Sequence, residues 1–282
     1  MPEKLHLKHL NYLKYLVIII SIVLFSRPLM GKTLLDSIPK EFVLSTNKDT
    51  LLRYTGNDKA LDMTKCAELS NIKVIGREAF SKNLSLEEVS LPINTNVIDN
   101  GAFYMCKNLR KILIPNGVIR IGASAFMECN ALSLSTLPKA LQVIGENAFV
   151  GCHNIEISEI PQGVTYIGTR AFAFCEKITN LKLSQSMNVI PSQLFFNCKS
   201  LKSLFFPEQI KSIGHNAFYG CCQLEELFLP KQSVELVGNP FKKCSKLKKI
   251  HIPDKTVVSA YNGAFGSEII NIESSIFIKY KL

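Results

Sequence analysis

The chain of 282 residues contains no tryptophan, and the motifs that would mark an enzyme are missing as well. No His-Glu-x-x-His or Gly-x-Ser-x-Gly occurs, which removes the zinc-peptidase and serine-hydrolase signatures. Gly31-Lys32-Thr33 is not a phosphate loop, because Ser26 stands where its first Gly belongs. Cys-x2-Cys spacing is absent, so the cysteines have no zinc-type ligand cluster. No run of five or six basic residues occurs, and basic and acidic residues interleave, which argues against a nucleic-acid partner. After residue 31 no apolar segment reaches the ~20 residues of a membrane span. Catalytic residues, cofactors and metals are therefore all expected to be none.

What the chain has is a period. Phe80, Phe103, Phe126, Phe149, Phe172, Phe195, Phe218 and Phe241 stand 23 residues apart, and Phe265 follows after 24. Three residues beyond seven of them stands a cysteine: Cys106, Cys129, Cys152, Cys175, Cys198, Cys221 and Cys244. A fixed period of this length describes a solenoid whose turns are the repeats.

The unit from Val118 to Pro138 shows the pattern. Val118-Ile119-Arg120-Ile121 is a short extended stretch, and Gly122 allows a tight turn after it. Ala125-Phe126, Cys129 and Leu132 follow. A second apolar stretch then ends at Pro, most clearly as Leu109-x-x-Ile112-x-Ile114-Pro115 and Leu224-x-x-Leu227-x-Leu229-Pro230. The alternation predicts a strand buried on one face, and Pro ends it. Stacking lays such strands side by side as a parallel sheet, and about nine units give a sheet roughly 40 Å long. Several units depart from the pattern. Asp99 and Pro191 replace the turn Gly, Leu194 and Pro240 replace the Ala before Phe, Asn83 replaces the first Cys, and Ser135 stands where an inward Ile is expected. Local bending or fraying of the stack is expected there.

Leu-x-x-Ile-x-Ile followed by Ile-Gly-x-x-Ala-Phe-x-x-Cys resembles the 23-residue BspA-like, or Treponema-type, leucine-rich repeat over about residues 72 to 272. Residues 32–71 resemble that family's N-terminal cap, a hairpin ending in Leu51-Leu52-Arg53-Tyr54-Thr55-Gly56. The resemblance implies a mainly β, right-handed leucine-rich-repeat solenoid with a parallel concave sheet, on a secreted or surface protein. It also implies adhesion to host or bacterial surfaces. Ile276-x-Ile278-x-Tyr280-x-Leu282 alternates like a closing strand, so 273–282 is expected to cap the far edge.

The first 31 residues read as a signal peptide. Lys4, Lys8 and Lys14 precede the apolar run Leu16 to Phe25, which is shorter than a span. Its cleavage leaves no stable membrane insertion; an uncleaved anchor is the alternative. Of the net charge of +10 this segment holds +3, from Lys4, Lys8, Lys14 and Arg27 against Glu3. The protein is thus expected outside the cytoplasm, at the cell surface or extracellular, or in the periplasm. The sequence shows no wall-anchor motif, hydrophobic tail or stalk, which weighs against a simple surface adhesin.

Nine cysteines in an exported protein invite a disulfide count. Seven of them share one repeat position, however, so their side chains point the same way and their Cβ vectors do not converge. A buried ladder of small apolar thiols is expected, with Cys66 and Cys222 off it as candidates for reactivity or pairing. The Phe ladder is expected to be core. Binding information should lie at the outward positions of the strands: Ser90, Leu113, Thr136, Glu159, Lys182, Phe205, Phe228 and His251. Phe205, Phe228 and His251 fall on consecutive turns as an aromatic stripe. With Leu113 they are the ligand-binding candidates; packing against a loop or a dimer mate competes with that reading. Glu87-Glu88 lie beside Arg110-Lys111, and Glu225-Glu226 lie between Lys202 and Lys248-Lys249, so opposite charges should set register. A non-enzymatic protein that recognises a protein or glycan ligand on the concave face is the leading expectation. A periplasmic scaffold recruiting an envelope partner is the alternative.

Overall fold

The structure is a computed structural model that describes residues 38–253 and, beyond them, the backbone of the strands Val257–Tyr261, Asn271–Glu273 and Phe277–Lys281. The expected signal peptide lies outside the described residues.

The described chain is a mainly β parallel solenoid of about nine turns. Its helical content among the described residues is two short 3-10 turns, Met63–Lys65 and Ala67–Leu69. It begins with an antiparallel hairpin, Phe42–Leu44 against Thr50–Tyr54, and every later strand pairs in parallel with the turn before or after it. Two ladders run along the axis. One stacks the Val-Ile stretches, such as Val97–Ile98 on Arg120–Ile121 and Val143–Ile144, and is interrupted once, between Tyr166–Ile167 and Val189–Ile190. The other stacks the Leu-x-x-Ile stretches.

The second ladder departs from the single sheet expected from the period. It runs through Ala60–Asp62, Glu88–Ser90 and Lys111–Leu113, stops, and resumes from Asn180–Lys182 to Asn271–Glu273. The cause lies in two serines. Ser135 and Ser158 occupy the position that Ile112 and Leu181 fill elsewhere, and both are exposed. Leu134 and Ile157, one residue earlier, turn inward instead and are buried. A slip of one residue reverses the pleat, so the strand pairing is lost over those two turns. A few bonds persist across the gap, such as Ser133 N–H to Arg110 O at 2.9 Å.

The core is one continuous column. Phe80 to Phe241 stack with ring centroids 4.8–6.0 Å apart and interplanar angles of 3–24°. Tyr54 lies 5.2 Å from Phe80 and Phe42 lies 5.0 Å from Tyr54, so the hairpin covers the first ring. Each buried ring contributes roughly 1.5–3 kcal/mol. The seven ladder cysteines are buried. Each thiol donates to the main-chain carbonyl of the Phe one turn back, as in Cys106 Sγ to Phe80 O at 3.0 Å and Cys221 Sγ to Phe195 O at 3.2 Å. Asn83, which stands in the Cys position of the first turn, reaches the hairpin instead: its Nδ2 donates to Gly56 O at 3.2 Å.

The repeat glycine serves a different purpose from the tight turn expected of it. A Cβ on Gly122 would lie 2.6 Å from the backbone nitrogen of Asn100 in the previous turn. The residue is small because two turns touch there. The left-handed backbone comes two residues later, at Ser124 (φ 53°), and again at Glu128 (φ 61°). Side chains other than Gly occupy most such positions, so the backbone conformation is imposed by the stacked turns.

Candidate functional site

The strands Asn180–Lys182, Ser203–Phe205, Glu226–Phe228 and Lys249–His251 are three residues long, with a buried Leu or Ile at the centre of each. The flanking residues therefore point outward. Parallel register places Lys182, Phe205, Phe228 and His251 opposite one another, rung by rung, and Glu159 bridges to Lys182 at the head of the row. Phe205 is 64% exposed and Phe228 47%. The Phe228 and His251 rings stack at 4.1 Å and 3°. His251 Nε2 lies 3.1 Å from Glu226 Oε2, which ties the imidazole to the strand before it. Beneath the row, half-buried Phe206 meets the core ring Phe218 edge-on at 6.0 Å. The aromatic surface thus sits on a packed base.

Leu113 belongs to a different place. It is 55% exposed and lies four rungs from Phe205, about 19 Å along the axis at one strand spacing per rung. It borders two depressions. One, of about 230 Å³, is lined by Asp62, Lys65, Glu88 and Lys111 among others, and one of about 160 Å³ is lined by Leu134, Thr136 and Pro138 among others. The second exists because the strand is missing from the turn that carries Ser135. Three of the four expected site residues come together and Leu113 does not.

The expected charge ladder is present in register: Glu88 faces Lys111 and Glu226 faces Lys249. Side-chain pairing is more mixed, since Glu87 meets Lys59 at 3.3 Å and Glu226 meets His251. Among the described residues no three His, Cys, Asp or Glu side chains gather as a metal site.

A second group was not legible as a site in the sequence. Phe174, Phe196 and Tyr219 are half-buried on the turns that follow the core Phe, with Arg170 and Lys243 against them. The available signal was an aromatic directly after the ladder Phe, in Phe195-Phe196 and Phe218-Tyr219.

Residues 60–179 and 166–280 match the family described as a BspA type leucine rich repeat region, in six copies. Among solved structures, a T. pallidum leucine rich repeat protein is 30% identical with a TM-score of 0.62, over 67% of this chain and 90% of that one. A leucine-rich repeat protein from Bacteroides ovatus is 26% identical with a TM-score of 0.50, over 74% of this chain and 66% of that one. One from Eubacterium ventriosum is 25% identical with a TM-score of 0.54, over 64% of this chain and half of that one. No curated protein matches the chain.

Proposed function

We propose a function for a chain that belongs to the BspA-type leucine-rich-repeat family: it is an exported, non-enzymatic binding protein that recognises a protein or glycan on its Leu-x-x-Ile strand face. Adhesion to host or matrix is the role we assign to it. The observation that carries the reading is the row of exposed Phe205 and Phe228 and half-buried His251, in register on three adjacent strands. Aromatic side chains supply large contact area, and a rigid sheet lowers the entropy lost when a ligand docks. The stacked Phe228–His251 pair is held before any ligand arrives. Lys182 and Glu226 place charge beside it, as a polar rim does around a hot spot. Export rests on the N-terminal charge and apolar pattern; among the described residues no helix is long and apolar enough to cross a membrane.

The test is a panel of matrix proteins and immobilised glycans probed with the full chain and with the Phe205→Ser, Phe228→Ser double variant. Binding should be lost in the variant while its thermal midpoint stays unchanged. Unfolding of the variant, or binding that survives it, would sink the assignment. Protease treatment of intact cells then tests location, since an adhesin must be clipped.

A further inference from the structure

The turn face carries a separate arrangement. Four side chains from four consecutive turns stack along the axis there. The Arg170 guanidinium lies 6.0 Å from the Phe196 ring centroid, the Phe196 and Tyr219 rings stack at 4.5 Å and 2°, and Lys243 Nζ lies 5.3 Å from the Tyr219 centroid. Phe174 leans on Phe196 at 5.5 Å and 56°. The neighbouring Tyr219 side chain raises the Lys243 pKa, which favours the charged ammonium.

Charge is concentrated over the same turns. Residues 169–178, 192–201, 215–224 and 238–247 carry Arg170, Lys177, Lys199, Lys242, Lys243 and Lys246 against a single acid, Glu176. Lys199 pairs with Glu176 at 2.8 Å and Lys177 with Glu156 at 3.3 Å. Among the described residues no carboxylate lies within 4.0 Å of Arg170, Lys242, Lys243 or Lys246. The Arg170 Nε is moreover buried without an acceptor. The equivalent segments of the four earlier turns balance Arg77, Lys82 and Lys107 against Glu78, Glu128 and Glu146. The excess is local.

We propose that this strip is a second binding surface, for a sulfated or uronate-bearing polysaccharide. Two cations are already fixed on ring faces, which lowers the side-chain entropy that anion binding must overcome. The outward ring edges carry partial positive charge and suit anionic oxygens. Other polyanions fit less well. The faces of Phe196 and Tyr219 are covered by each other and by the cations, so neither can stack a nucleobase. Turn-to-turn bonds, such as Phe174 N–H to Phe196 O and Gly220 N–H to Lys242 O, occupy the main chain, so a peptide strand finds little to pair with. A chain whose every unit offers charged side groups meets what remains.

The experiment titrates a heparin oligosaccharide into the full chain, independently of any strand-face ligand. Binding should weaken as salt rises from low concentration to about 0.15 M. The Arg170→Gln, Lys243→Gln variant should lose roughly tenfold or more in affinity, the order expected when charged hydrogen-bond partners are removed. Lys243→Arg should retain affinity, and Phe205→Ser, Phe228→Ser should leave it unchanged. Should the first variant unfold, the exposed pair Lys242→Gln, Lys246→Gln carries the test, with a several-fold loss expected. Three results overturn the proposal: no binding at low salt, equal binding by the charge variants, or binding of poly-glutamate as tight as heparin. The last would assign the strip to acidic protein segments.

Discussion

The thiol of Cys129 donates a hydrogen bond to the main-chain carbonyl of Phe103, 3.0 Å away and one turn back. The same bond recurs from Cys106 to Cys244, so each cysteine fastens its turn to the one before it. Ala can replace the volume only in part and cannot donate. Cys129→Ala should therefore cost about 1–3 kcal/mol, from a lost bond and a small cavity, read as a lower urea midpoint. A midpoint equal to wild type would mean that the thiol only fills space.

Burial also pushes the ladder thiols up in pKa, to about 12 at Cys106 and Cys198 against an ordinary 9.0. Below 9.0 both folded and unfolded chains hold these protons, and the full stabilisation is present. As pH rises past 9.0 the unfolded chain releases protons that the folded one keeps, so stability falls until the folded value is reached. The slope is up to roughly 1.4 kcal/mol per thiol per pH unit. Chemical unfolding at about pH 8 and about pH 10, an interval of which roughly one unit lies above the unfolded value, should show the loss at the higher pH. A flat profile would contradict the dry ladder.

Thiol labelling gives a separate reading of the same column. Cys66 and Cys222 are half-exposed, whereas the seven ladder thiols are buried. A water-soluble disulfide reagent should react with Cys66 and Cys222 in the native protein and with the other seven only after unfolding. Cys66 should react sluggishly, because burial and the neighbouring Glu68 carboxylate raise its thiol pKa.

Two glycines with no unusual backbone angle should respond oppositely to the same change. A Cβ on Gly145 would sit 2.4 Å from the backbone nitrogen of Ala123, whereas one on Gly117 would meet nothing within 4 Å. Gly145→Ala should destabilise the solenoid by several kcal/mol or drive two turns apart, since overpacking alone costs about 1–3 kcal/mol. Gly117→Ala should be neutral or stabilising by about 0.4–1 kcal/mol, through the unfolded chain. Paired thermal melts decide it.

The period determined the solenoid fold and the identity of the core, because a strict repeat makes every twenty-third side chain share one environment; the family followed from the resemblance of the repeat motifs. Phe80 to Phe241 could be placed inside, and Phe205, Phe228 and His251 on one outward row, from spacing and alternation. Ser135 announced a local fault, yet its consequence depended on Leu134 and Ile157 turning inward to replace the lost apolar contact. The repeat glycine was misread for a related reason: its small size answers a neighbouring turn, and a linear pattern does not show how closely two turns approach. The thiol-to-carbonyl ladder was hidden too, because it joins residues 26 apart in a 23-residue repeat. Phe196 and Tyr219 share one repeat position, directly after the ladder Phe, but Arg170 and Lys243 stand at other positions, so the period does not align all four; only the stacking of four turns brings their side chains into one column.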